Sequence, residues 1–168
     1  PVVQEALVKA GIAMADIDAV AVTFRPGLIG SLLVGLSFAK GLSLGLGKPL
    51  IGVDHILAHL YAPQLERDIA YPYLGLLASG GHTIIARVER YDRIQVLGTT
   101  IDDAVGEAFD KVAKHYDIGF PGGVAIDRLS ATGDPLAFRF PRPSLHKGDS
   151  RYDVSYSGLK TAVIHQSD

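Results

Sequence analysis

Two short apolar runs bracket one long one, and that arrangement does most to limit the fold. Ala19-Val20-Ala21-Val22-Thr23-Phe24 and Leu50-Ile51-Gly52-Val53 have the length of buried strands, whereas the run from about Ile29 to Leu46 has the length of a helix. Arg25-Pro26-Gly27 breaks the first run and Gly47-Lys48-Pro49 ends the long one. A strand, a helix and a strand in this order suit a crossover between parallel strands. Val2–Ala10 reads as a helix stopped by Gly11, and His55–Glu66 as another that Pro63 kinks or ends early. This half is therefore expected to run α-β-α-β-α. The stretch Leu28–Leu46 is apolar enough to raise the question of a membrane span. It holds Lys40, Ser31, Ser37, Ser43 and four glycines, and it lies between strands, so it is read as a buried helix.

The composition changes near Tyr71-Pro72-Tyr73, and the domains are expected to be residues 1–70 and 71–168. Three strands follow closely: Tyr73–Ser79, Thr83–Arg90 and Ile94–Thr100. The links Gly80-Gly81 and Tyr91-Asp92-Arg93 are short, so the strands should pair as antiparallel hairpins. Thr99 or Thr100 followed by Asp102-Asp103 signals a helix start, with the helix over Asp103–Tyr116 and Ala104, Ala108, Val112 and His115 along one side. Residues 119–123 read as a loop, Ala125–Ala131 as a short helix and Ser157–Gln166 as the opening of another. Between Thr132 and Ser155 prolines and glycines weaken every pattern.

At 48% hydrophobic and 20% charged, the chain has the composition of a packed protein rather than a disordered one. Its formal net charge of -2 gives no general attraction to nucleic acid, so any RNA contact must be local or made through a partner. The absence of cysteine excludes disulfides and thiolate metal sites. The opening PVVQEALVKAG lacks a signal-peptide pattern, the first residue is not Met, and AVIHQSD reads like a helix cut short, so an excised segment is expected.

Four motifs carry candidate chemistry. His55-Ile56-Leu57-Ala58-His59 places two imidazoles at i and i+4, on one face of a helix and close enough to share a metal. Two ordinary histidines at a helix start are the plain alternative, and no third ligand is evident nearby. A zinc protease of this spacing needs a Glu after the first His as its base, and here Ile56 stands there, so peptidase chemistry is disfavoured. Ser79-Gly80-Gly81-His82-Thr83 is a glycine turn whose N–H groups can cradle a phosphate, with the Ser79 and Thr83 hydroxyls able to add hydrogen bonds; a simple hairpin turn is the alternative. Asp110 offers a carboxylate to ribose hydroxyls, or simply pairs with a nearby lysine. Pro121-Gly122-Gly123 permits close approach to a flat ligand, and Asp127, near a helix start, either caps or binds. Arg139, Arg142, Lys147, Arg151 and Lys160, scattered among Asp134, Asp149 and Asp153, form either a solvated loop or a tRNA-facing patch.

The order of these motifs is more specific than any one of them. His55-x-x-x-His59 is followed by Leu77-Ala78-Ser79-Gly80-Gly81-His82-Thr83, by Asp102-Asp103-Ala104-x-Gly106-Glu107-Ala108-Phe109-Asp110-Lys111, by Pro121-Gly122-Gly123, and by Ser155-Tyr156-Ser157-Gly158-Leu159-Lys160-Thr161-Ala162. This series resembles the TsaD family, formerly called Gcp, over essentially the whole chain. The resemblance implies an α/β fold of the actin-like, Hsp70-like ATPase class, two-lobed and here truncated at both ends. It implies transfer of a threonylcarbamoyl group from threonylcarbamoyl-AMP to adenosine 37 of tRNAs that read ANN codons. It implies that His55 and His59 are ligands to one divalent metal, Fe or Zn with Mg as a further possibility. Leu77, Ala78, Ser79, Gly80, Gly81, Asp110, Gly123 and Asp127 would line the site for an adenylate, either threonylcarbamoyl-AMP or ATP. No protein nucleophile is required. The implied partners are tRNA and TsaB-like and TsaE-like proteins, in the cytoplasm and away from membranes.

The departures from the family pattern matter too. The family's N-terminal strands and phosphate turn have no counterpart before Pro1. Its C-terminal part, with the adenine segment and a metal-binding Asp, is missing, so the 168 residues alone are expected to be inactive. Arg25 stands where the family often has Gly. The rival readings are another carbamoyltransferase of the same superfamily, an actin-like ATPase or sugar kinase, and a non-catalytic TsaD-like scaffold.

Overall fold

A computed structural model of the chain describes residues 1–145, 148 and 151–166. It is a mixed α/β structure that divides into two compact units, Pro1–Ala62 and Pro63–Asp168. Lys147 and Asp149, read above as part of a basic stretch, lie outside the described residues.

In the first unit, helix α1 (Val2–Ala10) stops where Gly11 takes the left-handed conformation, φ 67°, and its N–H closes onto the last turn. Strands β1 (Val20–Arg25) and β2 (Leu50–Asp54) pair in parallel, with Val20 opposite Leu50 and Thr23 opposite Val53. Helix α2 (Ile29–Leu46) makes the crossover and ends at Gly47, also left-handed. The expectation that α2 is buried is overturned. Only Ala39 is buried, while Val34 is 73% and Leu44 85% exposed. The cause is geometric: a two-stranded sheet covers one side of a helix, and α2 is apolar nearly all round. By length and composition α2 passes the test for a membrane span, as a core helix also does. Helix α3 (His55–Tyr61) follows β2 at once, and the chain tightens into a 3₁₀ turn over Ala62–Leu65, so the helix ends well short of Glu66.

In the second unit, β3 (Tyr73–Ala78), β4 (Thr83–Arg90) and β5 (Arg93–Thr99) form an antiparallel sheet in that order. Ala86 and Val88, both 0% exposed and two residues apart, point to one face. Helix α4 (Val105–His115) contributes Ala108, Val112 and Ala113 to the core of this unit, and Ala104 just ahead of it is also buried. His115, placed on the inner side by periodicity, is exposed, and Ala113 is buried instead. Helix α5 (Gly122–Ser130) begins three residues earlier than expected, so Gly122 and Gly123 are helical rather than loop. After an irregular stretch, Ser144 pairs with Val154 and Val154 with Thr100, which extends the sheet edge. Helix α6 (Ser157–His165) closes the unit, and the Tyr116 hydroxyl donates to the Val163 carbonyl at 2.8 Å.

Candidate functional sites

The histidine pair is built outward from the end of β2. Asp54, the last residue of the strand, accepts from the N–H groups of Ile56 (2.9 Å) and Leu57 (3.2 Å) through Oδ1. These are donors that a helix start leaves unsatisfied, so Asp54 fixes where α3 begins. Its Oδ2 receives the Arg25 Nε–H at 3.0 Å. Arg25 is thus engaged with the carboxylate that caps the histidine helix. One turn apart, His55 and His59 face each other with Nε2 atoms 3.1 Å apart and ring centroids at 4.4 Å. Two nitrogens bound to one ion at about 2.1 Å lie roughly 3.0–3.4 Å apart over octahedral to tetrahedral angles. The observed spacing therefore fits two ligands of a single metal, and both rings are exposed. Imidazoles suit Fe or Zn better than Mg. No group of three or more His, Cys, Asp or Glu side chains capable of holding a metal occurs among the described residues.

The glycine turn lies between β3 and β4. The Ser79 hydroxyl accepts from the His82 N–H at 3.1 Å and donates to its carbonyl at 3.2 Å, while the Ser79 N–H bonds the same carbonyl at 2.9 Å. Thr83, only 4% exposed, accepts the Val105 N–H through Oγ1 at 2.9 Å. The Ser79 hydroxyl is therefore committed within the turn as both donor and acceptor, and the Thr83 hydroxyl accepts from the start of α4. Gly80 and Gly81 remain exposed, and their N–H groups have no partner among the described residues. Such uncommitted, adjacent N–H groups are what an anion requires.

The start of α4 grips this turn. The Gly106 N–H donates to the Ser79 carbonyl at 3.1 Å. A Cβ at Gly106 would stand 2.8 Å from the Cα and N of Gly80 and from the Ser79 oxygen, so only glycine fits. One turn further along α4, Asp110 accepts the Gly122 N–H through Oδ1 at 2.7 Å. Asp110 therefore tethers the start of α5 instead of pairing with a lysine, and its Oδ2 has no partner among the described residues. Gly122 crosses α4 so closely that a Cβ would meet the Phe109 oxygen at 2.5 Å.

These elements line an open cleft of about 430 Å³. Ala78 at the end of β3 and Ser79 and Gly80 of the turn line it, with Val105, Gly106, Phe109 and Asp110 from α4, Pro121 just ahead of α5, and Gly123 and Val124 within it. The volume falls in the usual range for small-ligand pockets. Of the residues singled out in the sequence, Ala78, Ser79, Gly80, Asp110 and Gly123 meet here. Leu77 is 8% exposed in the sheet opposite Ile84. Gly81 lies one residue beyond the lining. Asp127 is exposed midway along α5, so it does not cap that helix.

Sequence reasoning misread Asp102 and Asp103. Rather than starting α4, Asp102 accepts from the Ser155 hydroxyl and from the N–H groups of Tyr156 (2.8 Å) and Ser157 (3.3 Å), at the head of α6. Burial acts to raise its carboxyl, but these hydrogen bonds outweigh that and hold it below the ordinary range. Asp103, 9% exposed, bonds Lys111 (2.5 Å) and Lys160 (2.6 Å), and those two ammonium groups hold its carboxyl below its usual value. The Asp103 and Glu107 carboxylates in turn raise Lys111. Local sequence carries no signal for contacts that span 53 to 57 residues.

The comparisons with known proteins bear on the chain as a whole. The family model described as "TsaD: tRNA N6-adenosine threonylcarbamoyltransferase" matches residues 1–168. A Treponema denticola protein named tRNA N6-adenosine threonylcarbamoyltransferase is 62% identical over 168 residues, covering 100% of this chain and 50% of that protein. A Borrelia duttonii protein of the same name is 59% identical over 165 residues, covering 98% and 49%. The chain spans about half the length of the curated relatives it matches. Among solved structures, YeaZ from Pseudomonas aeruginosa aligns with 56% of this chain and 46% of its own, at 20% identity and a TM-score of 0.41, a partial likeness that adds nothing to the assignment. With a family model matched from the first residue to the last, and relatives near 60% identity beside it, this chain belongs to the TsaD family.

Proposed function

We propose that the protein carrying this sequence is a tRNA N6-adenosine threonylcarbamoyltransferase, with the two-lobed actin-like fold of its family. It moves the threonylcarbamoyl group of threonylcarbamoyl-AMP to adenosine 37 of tRNAs that read ANN codons, with tRNA and TsaB-like and TsaE-like proteins as partners, in the cytoplasm. The observation that carries this reading is the family match across all 168 residues. The cavity beside the glycine turn supports it, since a volume of about 430 Å³ and two uncommitted N–H groups suit an adenylate phosphate.

In this reading the N–H groups of Gly80 and Gly81 hold the phosphate, and the open Oδ2 of Asp110 accepts from a ribose hydroxyl. Gly123 lets the flat end of the ligand approach α5. Leu77, Gly81 and Asp127 keep the roles that the family pattern gives them, with Leu77 acting through the sheet. His55 and His59 hold the divalent metal, Fe or Zn, through Nε2. When bound, such a metal would supply positive charge of the kind that polarises a carbonyl oxygen. The amine of adenosine attacks the carbamoyl carbon, the bond from that carbon to the phosphate oxygen breaks with AMP taking its electrons, and the amine gives up one proton to water. No side chain needs to act as a nucleophile, so the protein contributes position and electrostatics.

The test is reconstitution of the full-length protein with its partners, threonylcarbamoyl-AMP and tRNA, followed by nucleoside analysis. Modified adenosine is expected from the wild type, with a loss of about 100-fold or more for His59→Ala. Wild-type protein that binds its partners yet yields no modified adenosine would overturn the assignment.

A further inference from the structure

We propose that Phe138, Arg139, Phe140 and Arg142 form a ledge that holds an unpaired stretch of the RNA substrate, with bases on the phenyl rings and phosphates on the guanidinium groups. This rests on the tRNA reading above and gives that substrate a surface.

The segment between α5 and the sheet edge is exposed, opens on a local turn and is tied to the sheet edge at its far end. At its start, Asp134 accepts the Leu136 N–H through Oδ1 at 2.9 Å and the Ala137 N–H through its carbonyl at 3.2 Å. At its end, the Ser155 N–H donates to the Pro143 carbonyl at 2.8 Å, and the Leu145 N–H to the Asp153 carbonyl at 3.3 Å. Between the turn and the far-end tie the two phenyl rings lie 5.9 Å apart, tilted by 32°. Phe138 is 55% exposed and Phe140 37%. Prolines at 141 and 143 stiffen the backbone that carries them.

The charge pattern selects the partner. From Pro135 to Leu145 there are two arginines and no Asp or Glu. Neither Arg139 nor Arg142 makes an ion pair among the described residues, as is also true of Arg67, Arg128 and Arg151, but only these two alternate with exposed phenyl rings. The whole chain is at -2, so attraction to a polyanion must come from a local surplus of this kind. A cation-aromatic alternation is the chemistry by which proteins hold single-stranded RNA, whose unstacked bases accept aromatic faces. Base-paired RNA offers no such faces. The occupant is therefore a looped-out, unpaired segment, the condition of any base that must be reached for chemistry at its exocyclic amine.

The test measures affinity of the full-length protein for a labelled anticodon stem-loop RNA by fluorescence anisotropy, with a fully paired duplex as control. Phe138→Ala/Phe140→Ala should weaken stem-loop binding roughly tenfold and duplex binding hardly at all. Phe138→Tyr/Phe140→Tyr should restore it. Arg139→Ala/Arg142→Ala should flatten the dependence of log affinity on log salt by about 1.4, near 0.7 for each single-strand phosphate left without its arginine. His59→Ala should leave RNA affinity intact while abolishing transfer. Three results would overturn the ledge. In one, the Ala variants keep wild-type affinity while the wild type modifies tRNA, which leaves the enzyme assignment standing. In another, the Phe variants lower the melting temperature with RNA affinity unchanged, so that a further part of the protein covers the rings. In the third, the wild type neither binds nor modifies RNA, and the transferase reading falls with it.

Discussion

His55 and His59 stand on a seven-residue helix whose start depends on one carboxylate, Asp54, itself held by an arginine that is 67% exposed. The glycine turn of the second unit is held differently. Thr83 and Ser79 receive the first two N–H groups of α4, Gly106 abuts Gly80, Asp110 ties in α5, and Asp103 reaches Lys111 and Lys160. The first arrangement is local and wet, and the second is a set of partly buried ties among three helices and a sheet. A metal forms strong bonds with two exposed imidazoles and can draw them into its own geometry. A phosphate held by backbone N–H groups gains only modest bonds, so those groups must already be in position. The contrast between the units is the one that the proposed metal and phosphate would each require.

If this contrast is right, damage in the first unit should stay local and damage in the second should spread to the pocket. The largest effect is expected from His59→Ala. It should lower metal affinity by about 100-fold or more, read by calorimetry or by metal content after dialysis, with the melting temperature of the metal-free protein unchanged because the ring is exposed. A drop in that melting temperature would mean the pair is structural.

Gly106→Ala comes next. Helix propensity alone favours Ala by about 1 kcal/mol, but the added Cβ meets backbone atoms of Gly80 and Ser79 that cannot swing aside. The clash should win and weaken adenylate binding by roughly tenfold, measured by calorimetry with a stable analogue. Unchanged binding with raised stability would break the idea of a gripped turn.

A smaller effect, on stability and its pH dependence, is expected from Asp103→Asn. The Asp103 carboxyl is held below its ordinary range by Lys111 and Lys160, so the folded state resists its protonation. Its contribution is fully present above the unfolded value near pH 4 and fades as the pH falls through the lower, folded value. The variant should be less stable by about 1–3 kcal/mol at neutral pH, mostly through Lys160, whose side chain is 19% exposed. That gap should close toward pH 3 in thermal melts. A gap constant with pH would point to lost packing instead. The smallest effect belongs to Arg25→Ala. Its exposed bridge is worth a few tenths of a kcal/mol, and metal affinity should move less than twofold. A larger change would show that Asp54 needs its arginine to hold α3.

Elements written in local pattern were legible from the sequence. The bounds of α2 follow from Pro26-Gly27 and Gly47, and those of β4 from two short turns, and both appear where expected. Ala78, Ser79, Gly80, Asp110 and Gly123, which the family resemblance implied for an adenylate site, lie along one cavity. What was illegible depends on partners distant in sequence. Gly122 is helical because Asp110 supplies the acceptor for its N–H, and nothing between residues 119 and 125 encodes that. Asp102-Asp103 looks like a helix start by composition, yet the partners of the Asp102 side chain and one of the two of Asp103 come from residues 155–160. The exposure of α2 was missed for another reason: its apolar surface predicts burial, but periodicity does not say how wide a sheet lies beneath it.

The Asp102 contacts at the head of α6 have a practical consequence for engineering. They join the two ends of a long excursion of chain, so what lies between is closed by its own anchors and not by its length. Lengthening a loop that is already closed costs only about 0.6 kcal/mol per doubling. A reporter peptide spliced after Gly133, in an exposed bend, would therefore leave the clasp and the pocket behind it undisturbed.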